Sequence, residues 1–136
     1  LGHKRLLKYL HSPYFNQSQT LIRLYELLLK YIEKGLPGFD REAVWQKMFP
    51  GVSFDDVNFR KYCSDLLKQV EGFMAQEIIA QDETRRSIDF IDFIVRKKIE
   101  PLFNGAMRQA RMDLERKNYH SLDYYFKTYT VERHYY

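Results

Sequence analysis

Residues 59–74, Phe-Arg-Lys-Tyr-Cys-Ser-Asp-Leu-Leu-Lys-Gln-Val-Glu-Gly-Phe-Met, carry the strongest periodic signal in the chain. Phe59, Tyr62, Cys63, Leu66, Leu67, Val70, Phe73 and Met74 follow the i, i+3, i+4, i+7 rule over four turns, which is the pattern of a helix with one apolar face. Gly72 is tolerated inside it, and Ser53 or Asp55 is placed to cap its first turn. The same period extends toward the N-terminus. Leu6, Leu7 and Leu10 mark a short first helix that His11-Ser12-Pro13 stops, because a residue before proline is pushed out of the α region. Asn16 or Ser18 caps a second helix with Leu21, Leu24, Tyr25, Leu28 and Ile32 on one face and Gly35 at its left-handed end. Asp40 opens a third, with Val44, Trp45 and Met48, closed by Phe49-Pro50-Gly51.

Toward the C-terminus, Asp82 caps a helix carrying Ile88, Ile91, Val95 and Ile99, widened by Phe90, Phe93 and Ile94. So broad a stripe calls for neighbours on two sides. Pro101 divides this helix from the next and suits position N1 of the latter, with Phe103, Ala106, Met107, Ala110 and Leu114 on its apolar face and Asn118 at its end. A last periodic segment runs through Leu122, Tyr125, Phe126, Tyr129, Arg133 and Tyr136. The chain begins at Leu1 without Met and this segment has no stop signal, so the sequence reads as part of a longer protein. The expectation is a single all-α domain. Residues 1–81 form an irregular helical bundle, leading into tetratricopeptide-like helical hairpins over 82–136, where two helices fill about 36 residues before a third begins.

Composition agrees. The 136 residues are 45% hydrophobic and 29% charged, the balance of a domain with its own core, and six Gly with four Pro supply too few turns for a many-stranded β fold. One cysteine, Cys63, excludes an internal disulfide framework and a cysteine-rich zinc site. No run approaches ~18 consecutive apolar residues, so no membrane span is expected and a cytoplasmic location is assigned.

The net charge of +4 has one source. Basic and acidic residues balance over 1–84 and over 118–136, whereas 85–117 holds nine basic against five acidic side chains. The interleaved Asp89, Asp92, Glu100, Asp113 and Glu115 give this segment the look of a helix surface laced with salt bridges. Arg85 stands four before Asp89, and Arg96 four after Asp92, as i, i+4 partners. The basic residues of this segment, notably Arg96, Lys97, Lys98, Arg108 and Arg111, also form a candidate binding face.

Signs of catalysis are missing. No dinucleotide, P-loop, hydrolase-elbow or zincin motif occurs, and His3, His11, His120 and His134 lack the spacing of a helical metal pair. Cys63 sits on an apolar face, where burial raises a thiol pKa. The expectation is therefore a non-enzymatic chain without cofactor or metal. Eleven Tyr, ten Phe and one Trp are a heavy aromatic load, dense at Tyr119, Tyr124, Tyr125, Phe126, Tyr129, Tyr135 and Tyr136. Neighbouring rings on a helix point to different sides, so some are exposed or covered by a further segment. Tyr124, Tyr125 and Tyr129, with the basic face, form the expected interaction surface for a protein partner or the remainder of the chain. Nucleic acid is the alternative partner.

Two resemblances bear on this. Phe39 to Trp45, then Phe49-Pro50 and the helix from Asp55, resemble the helix pairs of winged-helix transcriptional activators, covering residues 39–74. That resemblance implies a DNA-binding regulator. It lacks the β-hairpin wing, because Ala75 to Gln81 prolongs the helix, and the outward Asp56, Arg60, Lys61, Asp65, Lys68 and Glu71 are mixed in sign. Over its whole length the chain is similar to a group of helical proteins of Bacteroidetes that have no assigned activity. This likeness rests on Leu10-His11-Ser12-Pro13-Tyr14-Phe15-Asn16, Phe49-Pro50, Asp65-Leu66-Leu67, and Asp123-Tyr124-Tyr125-Phe126 with Glu132. It implies a helical region and no site residues.

Overall fold

A computed structural model describes residues 2–35, 38–116 and 121–136. The expected stop at Asn118, together with Lys117, Tyr119 and His120, lies outside the described residues. The described chain is all-α, with seven helices and no strand: α1 (His3–His11), α2 (Gln19–Lys34), α3 (Arg41–Met48), α4 (Asp56–Gln81), α5 (Glu83–Lys97), α6 (Glu100–Arg116) and α7 (Leu122–Glu132). No helix among the described residues is long and apolar enough to cross a membrane. The chain divides into two compact units, residues 1–75 and 76–136, with the division falling within the span of α4.

The first unit is built on local chemistry. The Ser18 hydroxyl accepts from the Leu21 N–H and caps α2, while Asn16 ties the two helices together. Buried Asn16 donates through Nδ2 to the Leu10 carbonyl at 2.9 Å and accepts the Ser18 N–H at 3.0 Å, so it satisfies the end of α1 and the start of α2 at once. Gly35 closes α2 at φ 56°, a left-handed position that suits glycine. Asp40 accepts from the N–H groups of Glu42 and Ala43 at α3, a cap worth about 1 kcal/mol. Trp45 Nε1–H donates to the Val52 carbonyl at 3.1 Å and holds the turn that Gly51 makes at φ 78°. Asp55 accepts the Asn58 N–H at 3.0 Å, and that bond keeps its carboxyl below the usual range despite some desolvation.

Leu6, Leu10, Leu24, Trp45, Phe59, Leu66 and Phe73 form the center of this unit's core. The stripe on α4 is narrower than expected: Leu67 and Met74 face solvent, as does Ile32 on α2. Gly72 has a steric reason to be glycine. A Cβ there would lie 2.7 Å from Tyr9 Oη, in a ring stacked on Phe15 and set edge-on to Phe73.

In the second unit α5, α6 and α7 pack against one another around Ile91, Ile94, Met107, Leu114 and Val131. Ala106 and Ala110, one turn apart, are buried on α6, and their small side chains allow close approach. Asp82 caps α5 by accepting the Arg85 N–H at 3.1 Å. Lys98 ends α5 in the left-handed region at φ 53°, with its N–H on the Ile94 and Val95 carbonyls. Pro101 is the second residue of α6, one place later than the expected N1, still within the first turn, where a missing N–H costs no intrahelical bond. Ser121 caps α7 by accepting the Tyr124 N–H, a signal the sequence reading passed over. Two expectations change here. Phe90, Phe93 and Val95 remain about half exposed, because α6 and α7 cover only the Ile91–Ile94 side of α5. The last helix ends at Glu132, and Arg133 and Tyr136 lie beyond it.

Candidate functional site

The residues expected to form one surface divide into three groups. Tyr125 and Tyr129 are 59% and 66% exposed, and with Leu122 at 89% and Phe126 at 70% they make an apolar stripe at i, i+3, i+4 and i+7 along α7. The opposite side of α7 is held in place. Val131 is buried, Tyr124 packs partly buried against the core, and Lys127 reaches Asp82 at 2.7 Å and Asp123 at 3.0 Å. Burial works against the Lys127 ammonium, but the hydrogen bonds it donates to Asp82 and Asp123 outweigh it and leave its pKa raised. Tyr124 therefore anchors the helix rather than standing with the exposed rings.

Arg96, Lys97, Lys98 and Arg108 are exposed, the first three at the C-terminal turn of α5, and none is in an ion pair among the described residues. Basic side chains there are favoured by the negative end of the helix dipole. Arg111 is different. Its Nε and Nη2 donate to the two oxygens of Glu132 at 2.7 and 2.8 Å, and its guanidinium lies 5.2 Å from the Tyr135 ring center. The bidentate pair raises the Arg111 pKa and lowers that of Glu132, and it fastens the end of α7 to α6. A guanidinium so engaged is not offered to a polyanion.

The acidic residues of this region are also rearranged. Arg85 meets Asp89 at 3.9 Å as the spacing predicts, whereas Asp92 is bonded by His134 Nε2 from beyond α7 instead of by Arg96. The other ring nitrogen of His134 lies 2.6 Å from the Thr130 carbonyl. Asp113 leaves the solvated face it was assigned to. It is 6% exposed and accepts the Ser87 hydroxyl at 2.6 Å and Gln109 Nε2 at 2.8 Å. Arg85 to Asp89, Gln109 to Asp113 and His134 to Thr130 lie within a helical repeat, whereas the contacts across 21, 26 and 42 residues leave no spacing signal in the sequence.

No group of three or more metal-ligating side chains occurs among the described residues. Burial raises the pKa of the Cys63 thiol, with a smaller opposing effect from Arg41. Compared with protein-family models, curated proteins and solved structures, the chain matches none.

Proposed function

We propose that the chain is a non-enzymatic protein-interaction or scaffold module that takes a protein partner, or the remainder of its own chain, on the outer face of α7. The observation that carries this reading is the exposed stripe of Leu122, Tyr125, Phe126 and Tyr129 on a helix whose other side is fastened to a core. Aromatic side chains that present rigid apolar area are the usual anchors of protein interfaces. In this reading α5 and α6 are a tetratricopeptide-like hairpin, joined by two residues, and α7 begins the next unit of the array in a cytoplasmic protein.

Affinity capture from native lysate, with the unaltered chain and with Phe126→Ser and Tyr129→Ser variants as bait, tests it. The expected result is a discrete, nuclease-resistant partner kept by the unaltered chain and lost by both variants. Equal capture by all three overturns the surface.

One observation favours a second reading, a nucleic-acid-binding regulator: Arg96, Lys97, Lys98 and Arg108 are exposed and outside any ion pair among the described residues. It requires an affinity that falls steeply with salt and is lost on reversing Arg96, Lys97 and Lys98. Salt-independent capture removes it.

A further inference from the structure

A buried carboxylate is ordinarily paired with a cation, because taking an unpaired charge out of water is costly. Asp113 has no cation within 4 Å among the described residues, only the neutral donors Ser87 and Gln109. It lines a cavity of about 570 Å³ between α5 and α6, flanked by the half-exposed ring of Phe90 and by Ile79. Each of its oxygens accepts one hydrogen bond, Oδ2 from Ser87 and Oδ1 from Gln109. An ionised carboxylate has about four lone-pair sites, so one site on each oxygen is open. Two parallel acceptors of this kind match the fork of a guanidinium, which also stacks on an aromatic face. We propose that this cavity is a binding site for a guanidinium group, the arginine side chain of a partner protein, with Asp113 as its acceptor and Phe90 as its flank.

The rim supports an arginine set in a peptide. Glu83 and Asp89 add negative charge, while Arg86 and Arg116 are exposed and screened, and suit an acidic neighbour of that arginine. Ser87 and Gln109 position the acceptor, and neither of them carries a charge. The proposal deepens the interaction-module reading by naming the chemistry of one anchor, and it uses side chains other than the α7 stripe. A small-molecule probe therefore tests it without the partner.

The test is a ¹H–¹⁵N NMR titration of the full chain with N-acetyl-arginine amide, set against N-acetyl-citrulline amide, which has the same shape and no charge. The probe is titrated across a Kd of roughly 1 mM, the weak end of the affinity scale. The expected result is saturable shifts at Ser87, Phe90, Gln109 and Asp113 with the arginine probe and at least about tenfold weaker binding of the citrulline probe. Asp113→Asn, which keeps an acceptor in place, should weaken the arginine probe by a similar factor. Phe90→Ala, at an exposed ring, should weaken it several-fold with the fold intact and decides the matter if Asp113→Asn does not fold. Equal binding of both probes, no saturation, or full affinity in Phe90→Ala overturns the site. Loss of partner capture on the α7 variants with this titration unchanged would separate the two proposals.

Discussion

Replacing Gly72 with alanine tests whether the close approach of Tyr9 outweighs helix propensity. Alanine in the interior of α4 should gain about 1 kcal/mol from lower unfolded-state entropy. Its Cβ would stand 2.7 Å from Tyr9 Oη, so the phenol has to move by several tenths of an ångström before the contact is tolerable. That ring is held by Phe15, with centroids 4.4 Å apart, and by Phe73, at 5.7 Å. Displacing it forfeits part of two aromatic contacts worth roughly 0.5–1.5 kcal/mol each. The expected net effect of Gly72→Ala is a loss of about 0.5–1 kcal/mol. Tyr9→Phe removes the offending oxygen and leaves the ring Cζ at an ordinary 3.7 Å. In that background Gly72→Ala should stabilise by about 0.5–1 kcal/mol, giving a coupling of at least about 1 kcal/mol. Urea unfolding of the four proteins in this cycle measures it. An equal effect of Gly72→Ala in both backgrounds would refute the steric argument.

Three further outcomes are expected. Lys98→Gly should raise stability by about 1 kcal/mol, because Lys98 holds φ 53° where a side chain is strained; a lower thermal midpoint would contradict this. Glu132 has a folded-state pKa below its ordinary 4.5, so its contribution is present above that value and lost as the pH falls through the folded-state pKa. Glu132→Gln should accordingly flatten part of the acid limb of a stability–pH curve, and an unchanged limb counts against the Arg111 clasp. Cys63, with its thiol pKa raised by burial, should react slowly with a disulfide reagent at neutral pH and rapidly in denaturant. Fast labelling of the folded chain would place the thiol elsewhere.

Helix positions and caps were legible because their causes lie within about four residues. Ser18, Asp40, Asp55 and Asp82 each cap the helix assigned to them, and Gly35 ends α2 as a glycine in that position should. The candidate surface was less legible. Tyr124 and Tyr125 are adjacent and chemically alike, yet one packs against the core and the other is exposed. Arg96 and Arg111 both read as basic surface, yet among the described residues only Arg111 of the two meets an acid, 21 residues away. Asp113 looked like one more charge on a solvated helix, and its burial follows from Ser87 on the facing helix.

By itself, then, the amino-acid sequence determined that the chain is helical, where most helices begin and end, and that Cys63 belongs on an apolar face, since periodicity and capping are local properties of the backbone. The tertiary structure decided which flank of each stripe is covered. Phe90 and Phe93 stay at the surface while Ile91 and Ile94 are buried, and the α7 rings face outward because Val131, Lys127 and Glu132 hold its other side. Coverage depends on partners brought together across tens of residues, and no local spacing encodes which partner arrives.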